Sequence, residues 1–322
     1  MENASGTGTE GEDFMKRLNA YVLAADPTWL EHSVRTYYPH VHRIVVSYDR
    51  SGRGWTGAPI PVEECISRLR AIDGEDKMQF VPGHFSAPVK DPMENDTLQR
   101  NTALDLAGQG ADWVLQLDTD EWLPSWGPFY AALRRAEALG LSALEWPMRV
   151  LYRRLADGEF LEVCAVGGLD HFEYIAPVAV RSGSHLVHSR RTEGRFLRSV
   201  VRGDQHSIQL KRPIETREVR ERLLDSSEAI VHNSWARSPA ELRRKLASWS
   251  HSGLRAWLYY GGRWLPSVWV WPWMRNIHPF FGEVWPALRR YPHQLPSTRG
   301  SRREWEQNAA DSPARAEGNA IQ

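Results

Sequence analysis

The sequence predicts an α/β protein, a doubly wound, mostly parallel sheet followed by a helical, Trp-rich C-terminal extension. Three observations predict it. Strand-like and helix-like segments alternate through the first part of the chain, the pattern of a parallel sheet covered by helices. An apolar run, Trp113-Val114-Leu115-Gln116-Leu117, ends in Asp118-Thr119-Asp120-Glu121. It reads as a buried strand with acids at its carboxyl end, where open α/β sheets bind ligands. Seven tryptophans (Trp249, Trp257, Trp264, Trp269, Trp271, Trp273 and Trp285) of the 15 in the chain fall in one late stretch.

The elements follow in order. Leu18 to Ala25 is the first strand. Asp26-Pro27 supplies a helix N-cap and a proline at the first helical position. Leu30, Val34, Tyr37 and Tyr38 then recur on one helical face, and Pro39 ends the helix. Val41 to Tyr48 is the second strand, with Asp49 at its carboxyl end, which completes a β-α-β unit. Next come a helix from Pro61 to Ala71, a strand from Met78 to Val81 and a Pro- and Gly-containing loop from Pro82 to Asn95. Asp96, with Gln99 three residues on, caps a helix from Thr97 to Ala107 that Gly108 and Gly110 close. Pro128 to Leu139 is helical. Ala143–Trp146, Arg149–Arg153, Ile175–Arg181, Leu186–Ser189 and Ala229–His232 are strands, and residues 190–220 are Arg-rich and show no clear period. Ser238-Pro239-Ala240-Glu241 is a capping box that starts a helix with Leu242, Leu246 and Trp249 on its apolar face. The domain boundaries are a disordered tail at 1–13, one α/β domain at 14–255, the Trp-rich extension at 256–295 packed on it, and a disordered tail at 296–322.

Composition narrows the function. Forty basic and forty acidic residues cancel over 322 residues, so no global field favours nucleic acid. Cys65 and Cys164 make neither a disulfide framework nor a zinc site. Met1–Asp13 has no apolar signal region, and no apolar run is long enough to span a bilayer. The expected location is cytoplasmic, with the inner face of the membrane as an alternative.

Asp118 and Asp120 are the centre of the chemistry. Two carboxylates at a strand end suit Mg²⁺ or Mn²⁺, hard cations that take one or two carboxylates plus phosphate oxygens and water. Such a cation would neutralise a diphosphate. The competing reading is a solvated acidic turn. Glu121 is divided between ligand and structural roles. Asp26 is divided between helix cap and base contact, and His232 between core residue and ligand. Arg100 is divided between phosphate contact and helix-surface ion pair. Lys245 and His251 are read as packing or pairing residues on their helix, with phosphate contact as the alternative for Lys245.

The segment Gln99-Arg100-Asn101-x-Ala103-Leu104 to Ala111-Asp112-Trp113-Val114-Leu115-x-Leu117-Asp118-x-Asp120-Glu121 resembles the metal-site segment of GT-A glycosyltransferases, particularly the bacterial family 2 group. Tyr21 to Asp49 resembles that family's first nucleotide-binding unit, with Asp49 in place of the acid that contacts base or ribose. Ile230-Val231-His232-Asn233-Ser234-Trp235, the helix with Lys245 and Trp249-Ser250-His251 are similar to the late segment whose His often completes the metal site. The resemblance covers residues 18–255. Ala25-Asp26 stands where family members usually carry Asn-Glu.

The resemblance implies transfer of a sugar, with inversion, from a UDP-, GDP- or dTDP-sugar to a hydroxyl of a glycan, a lipid-linked acceptor or a small molecule. It implies Mn²⁺ or Mg²⁺ on Asp118, Asp120 and His232. The donor would lie against Asp26, Asp49, Arg100 and Asp118. The base that inversion requires would come from Asp170 or Glu173, with Asp204 as a third option. The late tryptophans have three readings: sugar stacking, peripheral membrane contact through Trp269-Val270-Trp271-Pro272-Trp273-Met274-Arg275, or packing of the extension over the sheet. Two rival functions remain at this level. One is a sugar nucleotidyltransferase, which usually has a Gly-rich loop where this chain has Ala24-Ala25-Asp26-Pro27. The other is a non-catalytic carbohydrate- or membrane-binding protein.

Overall fold

The structure is a computed structural model that describes residues 18–251 and 253–293. The tails expected at 1–13 and 296–322 lie outside the described residues. Up to Tyr291 the described chain forms one compact unit.

β1 (Leu18–Leu23), β2 (Ile44–Asp49), β3 (Met78–Gly83) and β4 (Trp113–Leu115) pair in the order β4-β1-β2-β3, all parallel. Every residue of β1 is buried, as a strand covered on both faces must be. Helices Leu30–Tyr37 and Val62–Ile72 make the two crossovers of the β1-β2-β3 half. The sheet continues beyond β4 with Pro177–Arg181, Ala143–Glu145, Phe196–Val201 and Glu218–Leu224, for eight strands. Pro177–Arg181 runs antiparallel to both of its neighbours, and the other pairings are parallel. The fold is therefore a mixed α/β architecture with a mostly parallel sheet. The strand order reverses between β1 and β4, which opens a crevice at their carboxyl ends.

A second, five-stranded sheet has the order Ala287–Arg290, Phe160–Cys164, Met148–Arg154, Ile230–His232, Glu121–Trp122. The Trp-rich extension packs on it. Trp264, Trp285, Tyr259 and Ile277 share one apolar cluster with Tyr152, Leu161, Trp235 and Leu246. Cys65 and Cys164 are free and buried. Among the described residues no helix is long and apolar enough to cross a membrane.

Several local expectations change. The first helix begins at Leu30, not at Pro27. Asp26 turns back on Thr28 instead, accepting from its amide at 3.0 Å and its hydroxyl at 2.6 Å, a local bond that competes with helix capping. The Pro92–Ala107 helix starts earlier than Thr97, because Asp91-Pro92 is the true start signal: Asp91 accepts from the Met93 amide at 2.8 Å. Asp96 then lies inside the helix, where it pairs with Arg100 one turn on at 2.6 Å. The Arg-rich region hides the short strand Arg191–Thr192 and two longer ones, Phe196–Val201 and Glu218–Leu224. Arg198 is buried there between Glu145 at 3.1 Å and Glu218 at 2.9 Å, so a charge that reads as exposed is a core residue. The expected capping box at Ser238 and Glu241 forms, with both reciprocal bonds present.

Candidate functional site

A cavity of about 860 Å³ opens at the carboxyl ends of β1, β2 and β4. The chain places Asp26 just after β1, Asp49 at the end of β2 and Asp118 and Asp120 just after β4, and all four line it. The far wall comes from the second sheet and the extension. Ile230–His232 runs antiparallel to Glu121–Trp122 with His232 opposite Glu121, and the Asn233 amide donates to the Asp120 carbonyl at 2.8 Å. This register brings the His232 Nε2 to 3.7 Å from the Asp120 Oδ1.

Asp120 is buried in a net of cations. Its Oδ2 accepts from Arg237 at 2.6 Å and from Lys245 at 2.9 Å. Arg237, also buried, donates its other terminal nitrogen to Asp26. Burial pushes the Asp120 carboxyl up, but Lys245, His232 and Arg237 outweigh it and hold the group below the usual carboxylate range. Burial shifts the proton affinity of His232 down and outweighs the pull of Asp120 and Glu121. Its Nδ1 is a buried atom with no hydrogen-bond partner among the described residues.

Asp118 is more open. Its Oδ1 accepts from Arg100 at 2.8 Å, and its Oδ2 lies 4.0 Å from Arg190. Glu121 points away from the cavity's polar face. It is fully buried, takes both ends of the Arg190 guanidinium at 2.5 and 2.8 Å, and accepts from the Asp118 amide at 3.2 Å. That fork fixes the turn carrying the two aspartates, which makes Glu121 structural. Arg100 is a buried bridge between Asp96 and Asp118, not a helix-surface residue.

Asp49 uses both oxygens within its own loops. Oδ1 accepts from Ser51 through its amide at 2.9 Å and its hydroxyl at 2.5 Å. Oδ2 accepts from the Phe85 amide at 2.8 Å and the Ser86 hydroxyl at 3.1 Å. Burial raises its proton affinity, but these donors outweigh that and lower it. Its side chain therefore shapes the cavity wall around Arg53, Gly54 and Trp55. The Gly54 backbone sits so close to the Pro239–Ser248 helix that a Cβ there would lie 2.8 Å from the Ser248 Cβ.

The three candidate bases separate. Asp170 is turned to Arg149 at 3.1 Å and to Arg289, and it is absent from the described cavity lining. Burial raises its proton affinity, but Arg289 and Arg149 outweigh that and lower it. Asp204 is spent on Tyr174 at 3.0 Å and on the Ser207 hydroxyl at 2.6 Å. Glu173 does line the cavity. It is held on the edge of Met148–Arg154 by a reciprocal pair of backbone bonds to Met148, each 2.9 Å. Its carboxyl is buried and accepts a bond from the Trp285 indole. Burial pushes it up to about 7, and the indole bond only partly offsets this.

Sequence reasoning missed Arg190 and Arg237, and it named Trp285 only as one of the late tryptophans without linking it to Glu173. Arg190 was hidden in the Arg-rich stretch. Arg237 stands one residue before the Ser238 capping box, a position whose importance only the fold reveals. The cavity rim adds Arg53, Arg191, Arg212, Arg244 and Arg255, which form no ion pair among the described residues. Trp55, Trp235, Trp249 and Trp285 supply aromatic faces.

Asp118, Asp120 and His232 thus meet at one end of the cavity, but not as a three-ligand cage. Among the described residues no group of three or more His, Cys, Asp or Glu side chains is placed to hold a metal ion. Among the same residues, Asp118 Oδ2 and Asp120 Oδ1 accept no hydrogen bond. Two such oxygens fit a hard cation that completes its shell with phosphate oxygens and water.

No family model matches the chain. No curated protein matches it either. Among solved structures it is similar to a 4-diphosphocytidyl-2C-methyl-D-erythritol synthase from Anaerococcus prevotii, at 13% identity over 52% of this chain and 72% of that one, with a TM-score of 0.29. It is also similar to a mannose-1-phosphate geranyltransferase from Thermus thermophilus, at 13% identity over 52% of this chain and 51% of that one, with a TM-score of 0.25. Likeness at this level says nothing about activity.

Proposed function

We propose that the cavity binds a nucleotide-sugar and transfers its sugar to an acceptor hydroxyl, on a GT-A-like α/β fold. One observation carries the reading. The Asp118–Asp120 turn at the strand ends, backed by Arg237 and Lys245, shares a single cavity with Glu173, a buried carboxylate poised near neutrality. A diphosphate needs cationic partners, and inversion needs a base whose proton affinity matches the working pH.

In this mechanism Glu173 accepts the proton of the acceptor hydroxyl. The acceptor oxygen forms the new bond to the anomeric carbon as the bond from that carbon to the diphosphate breaks. The leaving diphosphate keeps the electron pair. Arg237 and Lys245 stand where that charge grows. Asp118 and Asp120 would hold Mn²⁺ or Mg²⁺ together with the diphosphate, and the cation would supply further charge neutralisation. The loops that Asp49 staples, with Trp55 at their face, would receive the nucleoside. The sugar acceptor would enter past Glu173 and Trp285.

The test is a thermal-shift and transfer panel of UDP-, GDP- and dTDP-sugars with and without Mn²⁺. The expected result is a stabilising shift with one donor that a chelator reduces, and loss of transfer but not of that shift in Glu173→Gln. Absence of a shift with every donor, with and without Mn²⁺, would overturn the reading.

A further inference from the structure

The described residues hold fourteen large apolar side chains that are well exposed, and seven of them lie between Leu254 and Phe281. Leu254 is 76% exposed, Leu258 65%, Trp269 74%, Trp273 77% and Phe281 67%, joined by Trp257 and Val270. The exposure follows helical spacing. Leu254, Trp257 and Leu258 stand at i, i+3 and i+4 on the Leu254–Tyr259 helix, while Ala256 and Tyr259 are buried. Trp269 and Trp273 stand four apart across the next two helical turns. The extension thus has an inner set of rings, Tyr259, Trp264 and Trp285, that builds its core. Its outer set faces solvent. A patch of this kind marks an interaction surface.

Charge identifies the partner. From Leu242 to Gly282 the sequence contains no Asp or Glu, but it contains Arg243, Arg244, Lys245, Arg255, Arg263 and Arg275. In a chain whose charges cancel overall, this is a local cationic strip. Arg255, Arg263 and Arg275 are exposed and form no ion pair among the described residues. The Arg263 guanidinium donates to the Asn276 carbonyl at 2.8 Å, which ties the Tyr260–Trp264 turn to the chain that follows Trp273. Exposed indoles interleaved with arginines, without acids, fit the interface of an anionic bilayer, where rings sit at headgroup depth and guanidinium groups meet phosphates.

We infer that the Leu254–Phe281 segment docks on an anionic membrane surface. Arg255 and Phe281 belong both to the patch and to the cavity lining, so docking turns the cavity mouth toward the bilayer. Resting on the transfer reading, this orientation presents the site to an acceptor held in the membrane. The docking itself needs no nucleotide, so its test is independent of that reading.

The full-length protein would be sedimented with vesicles of phosphatidylcholine alone and of phosphatidylcholine with equimolar phosphatidylglycerol, at low and high salt. Binding is expected to the anionic vesicles only and to weaken with salt. The double variant Trp269→Ala/Trp273→Ala, whose rings are exposed and whose melting temperature is expected to be unchanged, should bind at least about tenfold more weakly. Arg263→Gln/Arg275→Gln should remove most of the preference for anionic lipid. Equal binding by wild type and the double Trp variant overturns the inference. So does a dimer in sedimentation velocity that the double Trp variant dissociates, without vesicle binding by wild type, because the patch then belongs to a second copy.

Discussion

The Trp285 indole donates a hydrogen bond to the buried Glu173 carboxylate across 112 residues of sequence. The bond joins the extension to the edge of the second sheet, inside the cavity. It favours the ionised form of a group that burial otherwise keeps protonated. A general base at this position must be ionised to act, so transfer is expected to rise with pH through about 7. In Trp285→Phe the bond is lost and the ionised form is less stable, so the acidic limb of the rate–pH profile should move upward. A limb that stays in place would separate Glu173 from the base role.

The same group links stability to pH. Glu173 has a folded-state proton affinity raised from an ordinary 4.5 to about 7. Below 4.5 both states are protonated and nothing is lost. Between 4.5 and 7 only the unfolded state ionises, so stability falls as pH rises, and above 7 the penalty is complete. Glu173→Gln removes that penalty. Its stability relative to wild type should be larger at pH 8 than at pH 4, by roughly 3 kcal/mol, read from urea unfolding at the two pH values. The gain would accompany lost transfer, the exchange expected when a destabilised group is functional.

Asp120 holds the site's charges together. Asp120→Ala would leave the buried Arg237 with Asp26 alone, and it should cost roughly 3–5 kcal/mol besides abolishing transfer. Asp120→Asn keeps the shape and one acceptor. It should fold with a smaller loss while transfer falls at least about a hundredfold. Near-full activity of the Asn variant would sink the diphosphate assignment.

Glu121 and Arg190 form a buried fork that supports the aspartate turn. Either single change to Ala strands a buried charge and should cost about 3–5 kcal/mol. The double variant should be less destabilised than the sum of the two. A double-mutant cycle by chemical denaturation measures the coupling, and simple additivity would mean that the fork contributes nothing.

Asp49→Ala should act through the loops it holds. Four donors from Ser51, Phe85 and Ser86 lose their acceptor, and a destabilisation of roughly 2 kcal/mol is expected. The donor KM should rise with little change in kcat, because the wall around Trp55 loosens while Glu173 is untouched. A fall in kcat with unchanged KM would place Asp49 in the chemistry instead.

The sequence by itself determined the alternation of strands and helices, the crevice-end position of Asp118 and Asp120, and the start of the Ser238 helix. These are local matters: hydrophobic period, the Ser-Pro capping signal, and acids ending an apolar run. It misplaced the starts of two helices, because Asp26 and Asp91 carry the same Asp-Pro signal and only their surroundings decide which one caps. It passed over the Phe196–Val201 strand, because Arg198 reads as exposed until Glu145 and Glu218 are brought beside it. The tertiary structure separated Asp170, Glu173 and Asp204, which the sequence left open: of the three, Glu173 alone lines the described cavity. A carboxylate's role depends on what surrounds it: two arginines keep Asp170 ionised, Tyr174 and Ser207 occupy Asp204, and burial beside the distant Trp285 brings Glu173 to neutrality. The same holds at the strand end, where Arg237 and Arg190, remote in sequence, decide that Asp120 faces the cavity's charge and Glu121 supports the turn.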